Sequence, residues 1–164
     1  MNRVLDRLWV GGRDALAEGT PLRALGFSAV VDLRDGVEAH DFGVVVHRLK
    51  NRDGDPWSVE EINGALDFVH AQIQVGRVLI ACAAGMSRSA SLVIGYLVRC
   101  GWDVASAYTL VKSARPQIAP VTAMIEAVVK TVSVETPLLI SETVQAAATG
   151  APIVPDEIAD EVAN

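Results

Sequence analysis

Residues 77–101 read RVLIACAAGMSRSASLVIGYLVRCG. Val78 to Ala81 form a short apolar run of the kind a strand buried on both faces shows. From Ser89 to Cys100 the chain is apolar almost all round, which for a helix means burial on most sides, and Gly101 suits the position that closes its last turn. Between the two lie a cysteine, a small-residue loop and an arginine.

The flanks extend this strand, loop and helix into a complete domain. RLWVGG (7–12), SAVVDLRDG (28–36) and VVVHRL (44–49) read as further strands separated by turn residues. SVEEINGALDFVHAQI (58–73) predicts an amphipathic helix, with Ser58 and Glu61 as a capping box and Ile62, Leu66, Val69 and Ile73 along one stripe. A further helix starts on Asp103 and stops before Pro116, and another opens with Pro120 in its first turn. Strands with interspersed helices followed by consecutive helices predict one compact α/β domain over 1–132, with a central mixed sheet of four to five strands flanked by helices. Residues 133–164 are acidic, rich in alanine, interrupted by prolines and without a basic residue. They predict a tail, partly helical around Ser141 to Ala148 or mobile.

The chain has 164 residues, enough for one core. Its net charge of -6 argues against a nucleic-acid binder, whose affinity comes from clustered Lys and Arg. No apolar run approaches the ~20 residues that a bilayer requires, and no secretion signal opens the sequence, so a cytoplasmic protein is expected, monomeric by default. Its two cysteines are not expected to form a structural disulfide. His40, His47 and His70 lack ligand spacing, so neither a metal nor a cofactor is expected.

The spacing Cys82, five residues, Arg88 is weak as a bare pattern; its context is specific. The amides of Ala83, Ala84, Gly85, Met86, Ser87 and Arg88 can converge at a helix N-terminus, where unpaired N–H groups and the helix dipole favour an anion. The same field favours a thiolate, a strong nucleophile. Arg88 offers a planar fork of donors to phosphate oxygens. Ser89 can donate its hydroxyl to the sulfur.

IACAAGMSRSASLVIGYLV (80–98) resembles the phosphate-binding loop of the cysteine-based dual-specificity protein phosphatases, whose signature reads HCxxGxSRS before a buried helix. RLWVGGRDALAEGTPLRALGFSAVVDLRD (7–35) and SARPQIAPVTAMIEAV (113–128) are similar to other parts of that domain, so the resemblance covers about residues 3–130. It implies phosphomonoester hydrolysis through a phosphocysteine, with phosphotyrosine or phosphoserine/threonine proteins or small phosphomonoesters as partners. One position departs: the family's histidine before the nucleophile is Ala81 here. The family's general acid is an aspartate roughly thirty residues before the cysteine, which implies Asp53, favoured over Asp55, the latter having a turn role available.

Rival readings are a catalytically impaired phosphate-binding module and a thiol-based sulfurtransferase or arsenate reductase, the last requiring Cys100. Trp57 either lines the pocket beside the acid loop or packs against its own helix, and Cys100 reads as core filler in preference to a resolving thiol.

Overall fold

A computed structural model describes residues 1–36, 41–52 and 54–134. The five strands are β1 (Asn2–Arg3), β2 (Leu8–Gly11), β3 (Phe27–Asp32), β4 (Val45–Arg48) and β5 (Arg77–Ala81). The helices are α1 (Val59–Ile73), α2 (Arg88–Arg99), α3 (Val104–Ala114) and α4 (Thr122–Val134), and a single 3-10 turn spans Arg13–Leu16. The strands form one mixed sheet in the order β1-β2-β5-β3-β4, in which only β1 runs antiparallel to its neighbour. Thus β5 is central, paired on both edges, and its Val78, Leu79, Ile80 and Ala81 are fully buried, as a continuous apolar run demands.

Alternation along β5 divides the core. Val78, Ile80 and Cys82 join Leu8, Val10, Ala29 and Val31 against the apolar stripes of α1 to α4. Leu79 and Ala81 face the other way, with Val30 and Phe27, under Leu16 of the 3-10 turn, Leu22 and Phe42. The four α-helices therefore lie on one side of the sheet, α1 and α2 against the strands and α3 and α4 packed on those helices, while short segments close the other face. This sharpens the expected sheet flanked by helices: its two covers are unequal.

The local signals locate the helix ends. The Ser58 hydroxyl accepts from the Glu61 N–H while the Glu61 carboxylate accepts from the Ser58 N–H, so the capping box forms. Asp103 caps α3 by accepting from the Ser106 N–H, and hydrogen bonding from the Ser106 side chain, then from its backbone, holds its carboxyl below the usual carboxylate range. Gly101, at φ +93°, ends α2 in the left-handed region. Pro120 precedes α4 and does not occupy its first turn, because Val121 O accepts the first helical bonds, from the Met124 and Ile125 N–H groups, and the helix begins only at Thr122. The expectation of a tail beyond Val132, including the helix around Ser141 to Ala148, falls outside the described residues except that α4 runs on to Val134.

Candidate active site

The loop from Cys82 to Ser87 joins the end of β5 to the start of α2, so its position is set by the central strand and the most buried helix. The Cys82 N–H donates to Gly11 O on β2 (3.3 Å), and the Leu33 N–H donates to Ala81 O (2.8 Å), which clamps the strand end from both sides. Cys82 itself is 2 % exposed. Its sulfur receives the Gly85 N–H at 3.1 Å and lies 3.4 Å from the Ser89 hydroxyl. Sequence had paired Ser89 with the sulfur, and the two are in contact.

Four successive carbonyls of the loop are tied outward. Ala83 O accepts from the Arg13 N–H (2.9 Å), Ala84 O from Arg115 Nη2 (3.1 Å), Gly85 O from Arg115 Nε (2.6 Å), and Met86 O from the Ala119 N–H (3.0 Å). In a planar trans peptide the N–H points opposite to the carbonyl. Fixing these carbonyls outward therefore turns the amides of Ala84, Gly85, Met86 and Ser87 inward, and the Gly85 amide on the sulfur is one of them. A concave row of amides of this kind binds anions. At the start of α2 no side chain caps the helix, since the Ser87 hydroxyl is engaged with Met124 Sδ and the Val121 N–H.

Arg115 is the residue that sequence reasoning missed. It is 6 % exposed, and besides its two loop carbonyls it donates from Nη1 to the Asn2 side-chain oxygen (2.8 Å). A basic residue at the end of α3 reads locally as a partner of the helix dipole, and its true partners lie some thirty and more than a hundred residues away in the chain. Its position explains why residue 85 is glycine. Gly85 sits at φ +69°, and a Cβ there would lie 2.5 Å from Arg115 Nη2 and 2.7 Å from the Gly11 carbonyl. Gly85→Ala should lower the melting temperature by roughly 2–8 °C from the left-handed conformation alone, about 1–2 kcal/mol. It should also weaken phosphate binding, both readable by thermal denaturation with and without phosphate.

Arg88 opens α2 and is 5 % exposed. Its Nη1 donates to Leu33 O (2.7 Å) and Asn51 O (2.8 Å), which fixes the plane of the guanidinium between the end of β3 and the loop before α1. The adjacent Asp32, 1 % exposed, accepts at Oδ1 from the Arg34 N–H and Nε (2.9 Å) and at Oδ2 from Arg34 Nη2 (3.0 Å), with Arg48 Nη2 also 3.5 Å from Oδ2. Paired and hydrogen-bonded in this way, a buried carboxylate is retained at low cost.

The remaining sequence candidates separate. Ala81, where the resembling family has histidine, is fully buried in the apolar cluster of Phe27 and Leu79, on the sheet face opposite Cys82. Asp53 lies outside the described residues. Asp55 is exposed, and its backbone closes a turn by donating to Arg52 O (3.2 Å). Trp57 is 4 % exposed within the main core, so it packs and does not line a pocket. His47 stacks on Phe68, and burial lowers its pKa, whereas His70 faces the Tyr96 hydroxyl at 3.4 Å; His40 is outside the described residues. Cys82 precedes α2 and Cys100 caps its far end, so the twelve-residue helix, about 18 Å long, lies between them. Burial pushes the Cys100 thiol up, which further suits core filler.

Comparison with known proteins gives a consistent result. Residues 8–131 match the family model "Dual specificity phosphatase, catalytic domain". Human dual specificity protein phosphatase 16 is 29 % identical over 127 residues, covering 72 % of this chain and 18 % of its own length. Mouse dual specificity protein phosphatase 18 is 45 % identical over 56 residues, covering 33 % of this chain and 30 % of its own. The chain thus spans about a fifth to a third of these relatives. Among solved structures, human DUSP28 superposes with a TM-score of 0.73 at 26 % identity over 82 % of this chain and 96 % of that one. The human tyrosine phosphatase-like serine/threonine/tyrosine-interacting protein has the same fold, with a TM-score of 0.74 at 23 % identity over 82 % and 96 %.

Proposed function

Given that the chain belongs to the dual specificity phosphatase catalytic-domain family, we propose that it hydrolyses phosphomonoesters, phosphotyrosine and phosphoserine/threonine among them, through a phosphocysteine at Cys82. The observation that carries this reading is the cradle itself: a buried sulfur facing the Gly85 amide and the Ser89 hydroxyl, inside a loop whose carbonyls from Ala83 to Met86 are tied outward.

The geometry supports the roles given to Cys82, the loop amides, Arg88 and Ser89, and Asp53 enters as the acid that the family resemblance implies. Phosphate oxygens are held by the inward amides of residues 84–87 and by Arg88, whose plane is fixed before substrate arrives. Cys82 Sγ attacks phosphorus in line with the ester oxygen, an S–P bond forms as the P–O bond breaks, and Asp53 gives its proton to the departing oxygen. A water molecule, deprotonated by the same aspartate, then cleaves the S–P bond to release phosphate. Ser89 stabilises the sulfur as it leaves.

Hydrolysis of a chromogenic aryl phosphate between pH 5 and 8 with EDTA present tests the reading, together with acid-quenched incubation to capture phosphorylated protein. Metal-independent turnover with captured phosphate is the expected result. Asp53→Asn should lower kcat by about 100-fold, the low end for general acid catalysis because a nitrophenolate needs little protonation, while Asp55→Asn should leave it nearly unchanged. The reverse order would transfer the acid role to Asp55.

Ala81 favours one second reading, a phosphate-binding module without turnover. Phosphate or vanadate binding in a chain that hydrolyses no ester at any pH would establish it.

A further inference from the structure

Asn51 holds the turn before α1 onto the arginine of the phosphate cradle. Its carbonyl accepts from Arg88 Nη1 (2.8 Å). Its side-chain nitrogen donates to two successive carbonyls beyond the turn, Asp55 O (3.1 Å) and Pro56 O (3.2 Å), and its side-chain oxygen accepts from the Arg52 N–H (3.0 Å). The turn is closed independently by the Asp55 N–H on Arg52 O (3.2 Å), with Gly54 in the left-handed region at φ +105°. One residue therefore grips both ends of this turn with its side chain and the guanidinium with its backbone.

We infer that Asn51 is a positioning residue that sets the proton donor relative to the phosphate-binding arginine. The inference rests on the reading above, in which the acid is carried by this turn, and it holds for either aspartate, since residues 53 and 55 both lie between Asn51 and Pro56 in the chain. The physical reason is economy of error. Proton transfer to a leaving oxygen tolerates only small misplacement of the donor, and that oxygen is located by the phosphate, hence by Arg88. Anchoring the turn to Arg88, and not merely to the core, ties the donor to the group that fixes its target. The bonds that hold the turn come from the side-chain amide, a donor and acceptor pair that neither alanine nor aspartate reproduces, and the bond to Arg88 comes from the backbone carbonyl of the same residue.

The effect is distinguishable from a general loss of structure because it depends on the leaving group. Phenyl phosphate releases a basic phenolate that needs protonation, whereas dinitrophenyl phosphate releases an anion that does not. Asn51→Ala should lower kcat/KM, which reads the first, leaving-group-dependent step alone, on phenyl phosphate by roughly 100-fold and on dinitrophenyl phosphate by less than about threefold, with the inhibition constant of inorganic phosphate nearly unchanged. Asn51→Leu is close in size, keeps the backbone carbonyl on Arg88, and removes the donor to Asp55 O and Pro56 O without adding charge; it should show the same selective loss. Equal losses on both substrates, weaker phosphate binding, no loss at all, or unfolding of both variants would overturn the inference and leave Asn51 a structural residue. If the natural chain is inert toward both esters, the phosphatase reading fails and this inference falls with it. Turnover of both esters without the selective loss overturns the inference alone.

Discussion

Cys82→Ser takes aryl phosphate turnover below detection while phosphate and vanadate continue to bind: this is the expected result when purified natural and substituted chains are compared by hydrolysis and by titration calorimetry. The serine hydroxyl is far less ionised than the thiol at neutral pH, so the cradle would hold a phosphate with no nucleophile to receive it. The cradle is largely independent of that sulfur. Its carbonyls are tied to Arg13, Arg115 and Ala119, and Arg88 to Leu33 and Asn51, none of which contacts residue 82 in doing so. Anion affinity should accordingly change by no more than a few fold. Turnover surviving the substitution would place the nucleophile elsewhere and overturn the proposed mechanism.

The second large effect is expected from Arg88→Lys, which keeps the charge and discards the fork. A lysine is a point charge on a flexible stem, whereas Arg88 spends Nη1 on two backbone carbonyls and thereby orients the rest of its plane. Losing a preorganised donor to a developing oxyanion costs about 10²–10³ in kcat, and Arg88 also links β3 to the turn before α1, so kcat should fall by at least that factor. Because transition-state oxygens gain more from the fork than ground-state oxygens, KM should move much less than kcat. Steady-state kinetics on an aryl phosphate reads both numbers. A loss confined to KM would show that Arg88 binds ground state and transition state alike.

Both predictions concern residues that sequence could name, and the contrast with Arg115 shows why. Cys82, Gly85, Arg88 and Ser89 lie within eight residues on a strand, loop and helix whose local pattern is strong, so their proximity follows from chain geometry. Arg115 and Asn51 act through main-chain carbonyls, and carbonyls carry no sequence mark. Nothing in SARP states that its arginine turns back beneath residues 84 and 85, and nothing in KNRDG states that Asn51 meets Arg88. The departure at Ala81 has a comparable limit. Sequence showed a missing histidine, but only β-strand alternation in the folded sheet placed that side chain in an apolar cluster, on the face opposite the sulfur.

By itself the sequence determined the α/β class, the positions of four of the five strands, the caps at Ser58, Asp103 and Gly101, and the candidate loop, because each depends on periodicity or on residues a few positions apart. Tertiary structure alone decided the strand order, the gathering of all four helices on one side of the sheet, and the distance that α2 puts between Cys82 and Cys100. It also decided which groups hold the loop carbonyls outward. These are outcomes of burial and hydrogen-bond satisfaction over the whole domain, where a partner is chosen by which donor reaches a carbonyl after the core has closed, and no local pattern encodes that choice.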